Sequence, residues 1–326
     1  MKTKAIKFYH EPHKHHELLT RSPLLFVSYR RTFGSRYVVR VCSWLILLFF
    51  VFLLFGCSSA PKPTGEVYAD RNNALSQIDL ANQAASRGRY NDALNIINEA
   101  RRLAVSTDDP GLRVRTSIAL GDVLFSLGDH DNAFQEWEKA SNEGDSSGEP
   151  VLAALARIYA IRARLVMLAN GMRTDVDAED LRAQVNSEIA LFRNDEMYSA
   201  VAYITLGLAE RTLGRWAEAE NAVKRALDIH EKNYRLEDAA YDWFLIASIR
   251  SVAGNYDSAL EALATAISFD RRSENGFGLA SSWKAVGDVN EKAGRIENAQ
   301  AAWRRAAEIY RAIGLPAYAE RIEDQL

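Results

Sequence analysis

The chain has 326 residues, of which 48% are hydrophobic and 25% charged, and its formal net charge is −3. The charge is unevenly spread, because residues 1–56 hold 9 of the 40 Lys and Arg but only 2 of the 43 Asp and Glu. The rest of the chain therefore carries a formal charge of about −10. Such an acidic surface argues against a nucleic-acid partner and against charge-driven binding to anionic lipid.

Residues 1–37 are basic, contain four of the chain's 6 His and show neither helical nor strand periodicity. Two interpretations remain open. Translation begins further in, at Val38 or Val39, which leaves a leader of ordinary proportions. Otherwise the segment is a long cytoplasmic leader in which His13, His15 and His16 form a weak metal-binding cluster.

A purely apolar run of 12 residues extends from Trp44 to Phe55 and is preceded by Arg36 and Arg40. A helix that crosses a membrane needs about 20 such residues. The run is therefore typical of the hydrophobic region of a secretory signal peptide.

The four residues Leu54-Phe55-Gly56-Cys57 resemble the lipobox of bacterial lipoproteins, although Phe55 stands where the motif has a small residue. The resemblance implies that the chain is cut before Cys57 and that this Cys is lipidated, so residues 1–56 are leader and signal peptide. Cys42 would be removed with them, and no internal disulfide would then be possible. The alternative is an uncleaved anchor or a buried Cys.

The residues after Cys57 predict a flexible tether over residues 57–70, starting with Ser-Ser-Ala-Pro-Lys-Pro-Thr-Gly. In enterobacterial lipoproteins an Asp directly after the lipidated Cys favours retention in the inner membrane. Ser58 stands there, so the resemblance implies an anchor in the outer membrane, facing the periplasm, in a Gram-negative-type bacterium.

One spaced pattern then returns five times: a Gly, a residue that is usually aromatic two positions later, and Ala at five and twelve positions later. The copies are Gly88-Tyr90-Ala93-Ala100, Gly128-His130-Ala133-Ala140, Gly214-Trp216-Ala219-Ala226, Gly254-Tyr256-Ala259-Ala266 and Gly294-Ile296-Ala299-Ala306. Another small residue precedes each first Ala by twelve positions: Ala81, Gly121, Gly207, Ala247 and Gly287. This pattern predicts helical hairpins in which a Gly turn joins two closely packed helices.

The pattern resembles the tetratricopeptide repeat (TPR), in a variant with a period of about 40 residues. The resemblance implies an all-α, right-handed α-solenoid of TPR hairpins over residues 71–326. Between Ala133 and Ala219 the spacing is about two periods, so we predict a degenerate unit there, with helices at 151–169 and 178–193. Six units result. After Gly314 and Pro316, the segment 317–326 is expected to be a capping helix.

Sequence motifs for catalysis are not found: the chain has no Gly-rich phosphate loop, no HExxH and no GxSxG. Acidic pairs such as Glu136-Glu138 and Glu218-Glu220 are interpreted as solvated helix faces. We therefore expect a protein that is not an enzyme and that needs no metal and no cofactor.

The TPR resemblance implies a concave surface lined by the first helix of each unit, which would bind an amphipathic helix or an extended peptide. The residues predicted to bind the partner are Arg115, Asp122, Phe125, Arg211, Tyr241, Phe244, Lys284, Asp288 and Lys292. The leading hypothesis is a lipid-anchored periplasmic adaptor that binds a protein or peptide. The alternative is a small-ligand-binding lipoprotein associated with a transporter.

Overall fold

The computed structural model describes residues 68–172 and 176–323, which belong to one compact unit, Val67–Leu326. The predicted signal peptide and Cys57 lie outside the described residues. Within them are thirteen α-helices, one 3-10 helix and no strand. The α-helices are α1 Ala69–Ser86, α2 Tyr90–Ser106, α3 Pro110–Ser126, α4 His130–Ser147, α5 Pro150–Ala169, α6 Ala178–Ile189, α7 Glu196–Thr212, α8 Trp216–Lys232, α9 Leu236–Val252, α10 Tyr256–Arg272, α11 Gly276–Lys292, α12 Ile296–Ala312 and α13 Pro316–Glu323.

Helices α1 to α12 pack as six successive hairpins, and α13 packs on α12 at the end of the stack. The first helices of neighbouring hairpins also contact one another, since α3 touches both α1 and α5, α5 touches α7, and α9 touches α11. These contacts align the first helices along one side of the molecule. The predicted solenoid of helical hairpins is confirmed.

The Gly turns and the small residues have the roles that the spacing predicts. Gly88, Gly128, Gly214, Gly254 and Gly294 end the first helices with φ between 72° and 86°, the left-handed conformation that Gly adopts without strain.

The close approach of the two helices is clearest at Gly207. A Cβ there would lie 2.6 Å from Val223 Cγ2 and 3.2 Å from the Ala219 carbonyl oxygen. Gly121 and Gly287 meet the rings of Trp137 and Trp303 in the same way. In each of these three hairpins the residue that covers the small position lies four residues after the first Ala of the pattern, one turn further along the second helix.

The degenerate third hairpin lacks the Gly signature but keeps an apolar interface. Its first helix, α5, buries ten side chains, and its second element is α6 followed by a 3-10 helix, Ala190–Phe192. Leu181, Val185 and Phe192 are fully or almost fully buried there. The second element of this hairpin thus has a buried apolar face without the Gly-aromatic-Ala signature.

The start of α1 corrects the predicted tether. The helix begins at Ala69, so the last two residues of the segment predicted to be flexible are helical. Asp70 lies in the first turn, where a carboxylate interacts favourably with the helix N-terminus.

The stack winds round far enough for its first hairpin to contact its last two hairpins and the cap. In the turn between α1 and α2, Arg87 pairs with Glu237 at 3.2 Å, and Ser86 donates a hydrogen bond to the same carboxylate at 3.1 Å. The Tyr90 ring meets the Phe277 ring edge-on at 6.4 Å between centroids. We call this set of interactions the closing contact.

Gly88 lies at the centre of the closing contact. A Cβ at this position would be 2.5 Å from Phe277 Cδ2 and 3.2 Å from Leu315 Cδ1. The Phe277 ring is itself held by Tyr310 and Tyr318, at 5.8 and 5.5 Å between centroids. Only a residue without a side chain fits between the first turn and this aromatic cluster.

Candidate partner-binding surface

The first helices carry a set of arginine and aromatic side chains, with one aspartate, that meet across hairpins. We call this set the inner surface; its members are Arg115, Asp122, Tyr159, Arg162, Tyr198, Arg211, Tyr241 and Phe244. Arg115 of α3 hydrogen bonds to the Tyr198 hydroxyl of α7, although α5 stands between these helices in the stack. A contact that passes over an intervening hairpin requires strong curvature, so these residues lie on the concave side.

Asp122 and Arg162 form the ion pair at the middle of the inner surface, with Nη2 and Oδ1 2.5 Å apart. The guanidinium of Arg162 also lies over the Tyr159 ring, 4.4 Å from its centroid. Burial opposes the charge of Arg162, but Asp122 and nearby phenols outweigh it and raise the pKa of the arginine. Burial raises the pKa of Tyr159 to about 12, so its hydroxyl stays a neutral donor at physiological pH.

Tyr241 and Phe244 form a stacked pair on α9, with centroids 6.4 Å apart and an angle of 11° between the rings. Tyr241 keeps 45% of its surface accessible, yet burial raises the pKa of its phenol. The side chain is therefore open to water but surrounded by protein on most sides, as expected for a residue that lines an enclosed concave surface.

Arg211, near the end of α7, has no carboxylate partner among the residues that the structure describes. Its Nε atom is buried without a hydrogen-bond acceptor, and burial lowers the pKa of its guanidinium. A cavity of about 120 Å³ opens beside it, lined by Leu165, Val166, Ala169, Asn170, Leu208, Arg211 and Thr212.

The other predicted binding residues are placed differently. Phe125 packs against His130 and Trp137, with centroids 4.8 and 6.0 Å away, and so belongs to the second hairpin's own packing. Lys284 pairs with Asp288 one turn along α11 at 2.8 Å, and Asp288 also accepts a hydrogen bond from the Trp303 indole. Lys292 is exposed at the end of the same helix. The structure thus brings together Arg115, Asp122, Arg211, Tyr241 and Phe244 from the predicted set.

Tyr159, Arg162 and Tyr198 are inner-surface residues that the sequence interpretation did not include. The third hairpin lacks the Gly-aromatic-Ala signature, so no position in it was assigned to the concave side. The repeat period does contain a signal for Arg162. This residue follows Asp122 by 40 residues, which is one period, and Asp122 is among the residues predicted to bind the partner. Tyr198 lies in the first turn of α7, whereas Arg211, the residue of that helix predicted to bind the partner, lies in its last turn.

Two carboxylates interpreted as solvated are instead held in ion pairs. Glu136 is 6% exposed and pairs with Arg101 and Lys139. Glu220 is half-buried and accepts two hydrogen bonds from Arg250, at 2.7 and 3.1 Å, which lower the pKa of its carboxyl to about 2. Neighbouring helices supply the arginine in both cases, and the acidic pattern alone does not contain that information.

The pair that most resembles an acid-base dyad is sealed in the core. His230 Nδ1 lies 2.6 Å from Asp242 Oδ2, and the two side chains are 4% and 0% exposed. Burial raises the pKa of Asp242 to about 6. Because a substrate cannot reach either group, the pair is a structural contact between α8 and α9. Across residues 68–172 and 176–323 there is no group of three or more His, Cys, Asp or Glu side chains placed to hold a metal ion.

A helix long and apolar enough to cross a membrane is not found in the part of the chain that the structure describes.

Sequence comparisons gave no match to any family model and none to a curated protein. Structure comparisons did give matches. A Rap protein complexed with Competence and Sporulation Factor is 15% identical over 78% of this chain and 74% of that chain, with a TM-score of 0.54. A thermophilic TPR protein of Thermus thermophilus is 19% identical, covering 64% and 98% of the two chains, with a TM-score of 0.44. PilW, a type IV pilus biogenesis factor, is 14% identical, covering 75% and 97%, with a TM-score of 0.44. At these identities the likeness concerns the fold, which is a TPR-type solenoid.

Proposed function

We propose that this protein is a non-catalytic, lipid-anchored adaptor that faces the periplasm and holds a protein or peptide on its inner surface. The observation that carries the proposal is the stacked pair of Tyr241 and Phe244, with Tyr241 still 45% exposed. Tyr, Trp and Arg side chains are enriched among the few residues that dominate binding energy at protein interfaces. The neighbouring arginines add hydrogen-bond donors that can orient the polar backbone of a bound peptide.

The size of the cavity beside Arg211 favours a peptide over a compact small molecule at that position. The cavity beside Arg211 is about 120 Å³, whereas pockets for small molecules start at about 300 Å³. A cavity of this size accommodates one side chain or one terminal group of a longer ligand. The Rap protein of similar fold was crystallised with Competence and Sporulation Factor, which supports a solenoid of this kind as a ligand-binding scaffold.

The membrane anchor rests on the sequence alone, namely the apolar run that ends at Leu54-Phe55-Gly56-Cys57. Cells grown with a fatty-acid analogue should incorporate label into the wild-type chain but not into Cys57→Ala. Mass spectrometry should find a mature chain that begins at Cys57. Label in the Cys57→Ala variant, or mature protein that retains earlier residues, would refute the anchor and leave the binding proposal standing.

The binding proposal is tested by capture of partners from the native envelope with the variant Tyr241→Ala/Phe244→Ala. We expect the pair of substitutions to abolish capture while helical content and membrane localisation stay unchanged. The control is Tyr234→Asn with Leu191→Ala, which removes two apolar side chains that are 87% and 45% exposed outside the inner surface. Asn is chosen at Tyr234 because its φ is +55° and Asn tolerates this conformation.

A folded Tyr241→Ala/Phe244→Ala variant that retrieves the same proteins as the wild type would place binding elsewhere. Loss of capture in both the test variant and the control would show that general surface hydrophobicity, and not the inner surface, is responsible.

A further inference from the structure

The chain contains two Asn-Gly pairs, Asn170-Gly171 and Asn275-Gly276. In an Asn-Gly pair the backbone nitrogen of the Gly can attack the side chain of the Asn, because Gly has no side chain to shield that nitrogen and leaves the backbone free to rotate. The two pairs therefore have the same intrinsic chemistry. Their surroundings in the fold decide which of them reacts.

The pair at Asn275 is protected by burial and by a hydrogen bond. Asn275 is 6% exposed and is the N-cap residue of α11, where its side-chain oxygen accepts a hydrogen bond from the Gly278 N–H at 3.0 Å. A Cβ on Gly276 would lie 2.7 Å from Ile313 Cγ2, so the backbone there is closely packed. This pair can react only after the first turn of α11 has left the core.

The pair at Asn170 is open. Asn170 directly follows the last residue of α5, and both Asn170 and Gly171 are exposed. The Asn170 side chain makes no hydrogen bond to any residue that the structure describes. A Cβ on Gly171 would meet nothing within 4 Å, so there is free space around this residue in which the backbone can rotate.

Two backbone hydrogen bonds hold the open pair in place. The Gly171 N–H donates to the Leu168 carbonyl at 3.1 Å, and the Met172 N–H donates to the Met167 carbonyl at 2.9 Å. Both must open before the Gly171 nitrogen can attack. They are the last bonds of a helix, and the ends of helices open at a free-energy cost close to zero. The reactive conformation is therefore accessible while the rest of the protein stays folded.

We propose that Asn170 is a site of spontaneous covalent modification, at which the asparagine is converted into aspartate and isoaspartate. The Gly171 nitrogen loses its proton to water and attacks Asn170 Cγ, which forms an N–Cγ bond. The Cγ–Nδ2 bond breaks, and ammonia leaves with a proton taken from water, so that a cyclic imide is closed. One water molecule then opens the imide. Cleavage of the N–Cγ bond gives aspartate, and cleavage between this nitrogen and the Asn170 carbonyl carbon gives isoaspartate.

The net reaction consumes one water and releases one ammonia, and it needs no oxidant and no enzyme. Either product places a carboxylate where the unmodified chain has a neutral amide. Asn170 lines the cavity beside Arg211, so the modified chain carries one more negative charge next to the inner surface. Isoaspartate also lengthens the backbone by one carbon at the end of α5. This chemistry proceeds whether or not the inner surface binds a peptide.

The experiment follows both pairs in the same molecule. The full-length chain in detergent is incubated in mildly alkaline oxygen-18 water below its melting temperature, and samples are digested with trypsin in ordinary water. Trypsin places the two pairs in separate peptides, 165–173 and 273–284. Mass spectrometry measures the replacement of the amide by a labelled carboxylate, and chromatography separates aspartate from isoaspartate. A parallel incubation in urea gives the rates of the unfolded chain.

We expect peptide 165–173 from the folded chain to convert at least about tenfold faster than peptide 273–284, since loss of an N-cap alone raises a barrier by a factor of that order. Both products should appear at Asn170, and the rate should rise with pH because the attacking nitrogen must lose a proton. In urea the two peptides should convert at comparable rates. The variant Asn170→Gln should abolish conversion in peptide 165–173, because its longer side chain closes a ring less readily, and should leave the slow conversion at Asn275 unchanged.

Equal rates for the two peptides in the folded chain would overturn the proposal, since the fold would then not select Asn170. Conversion of both peptides in urea and of neither in the folded chain would also overturn it, because the end of α5 would then protect the asparagine. Aspartate without isoaspartate would exclude the imide route.

Discussion

Gly88 and Gly128 provide a matched test of the closing contact. Both end a first helix with positive φ, +72° and +86°, so an Ala at either position has the same backbone strain. That strain costs about 1–2 kcal/mol for a residue with a Cβ. The surroundings differ, because a Cβ on Gly128 meets nothing within 4 Å, whereas a Cβ on Gly88 lies 2.5 and 2.6 Å from two atoms of the Phe277 ring.

The ring cannot move aside cheaply, because Tyr90, Tyr310 and Tyr318 surround it. We therefore expect Gly88→Ala to cost about 1–3 kcal/mol more than Gly128→Ala, either as overpacking or as loss of the contact. The assay is denaturant unfolding followed by circular dichroism, with small-angle X-ray scattering to detect an opened stack. Equal free energies of unfolding and equal scattering curves for the two variants would refute the closing contact.

Two further substitutions test the packing and the buried charges. Gly207→Leu should lower the free energy of unfolding by about 1–3 kcal/mol or more, because even a Cβ at this position would lie 2.6 Å from Val223 Cγ2. The control Glu218→Leu changes an exposed position and should stay within about 0.5 kcal/mol. Equal melting temperatures of the two variants would show that the hairpin interface is elsewhere. Burial raises the pKa of Asp270 from 3.8 to about 7, so the folded state binds more protons than the unfolded state between these values, and stability falls as the pH rises through this window. Asp270→Asn keeps an acceptor for the Ser282 hydroxyl. The stability advantage of this variant over the wild type should grow as the pH rises from 4 to 7, to at most about 4 kcal/mol. An advantage that does not change with pH would show that Asp270 is not protonated in the folded state.

The repeat pattern was sufficient to predict the hairpins because it reports contacts between residues close in the chain. Gly207 and Ala219 are twelve residues apart, and the chemistry of both positions is visible in the spacing. Even the degenerate third hairpin was predictable, since its apolar and polar segments have helical length. The closing contact was not predictable, because Gly88 and Phe277 are separated by most of the solenoid. Whether they meet depends on small rotations that accumulate over all the hairpins.

The same distinction applies to the inner surface. Tyr241 and Arg211 follow from their positions in first helices, which the repeat period marks. The unpaired state of Arg211 does not follow, because it depends on how far the carboxylates of the neighbouring helices in the described structure lie from its guanidinium. Glu136 and Glu220 show the converse case, in which an arginine from an adjacent helix holds a carboxylate that the sequence pattern alone would leave in solvent.

The closing contact leads to a prediction about how a ligand reaches the inner surface. It consists of the partly exposed Arg87–Glu237 ion pair, the Ser86 hydrogen bond to the same carboxylate and one edge-on aromatic pair, which contribute about 0.2–1, 0.5–1.5 and 0.5–1.5 kcal/mol. An energy difference of this size leaves roughly 0.1–10% of molecules open at any moment. If a peptide enters through this opening, Gly88→Ala should raise its association rate several-fold, while Gly128→Ala should not. Stopped-flow fluorescence of a captured partner peptide measures both rates. Identical association rates would mean that the ligand enters along the axis of the stack without separating its ends, and the closing contact would then contribute to stability alone.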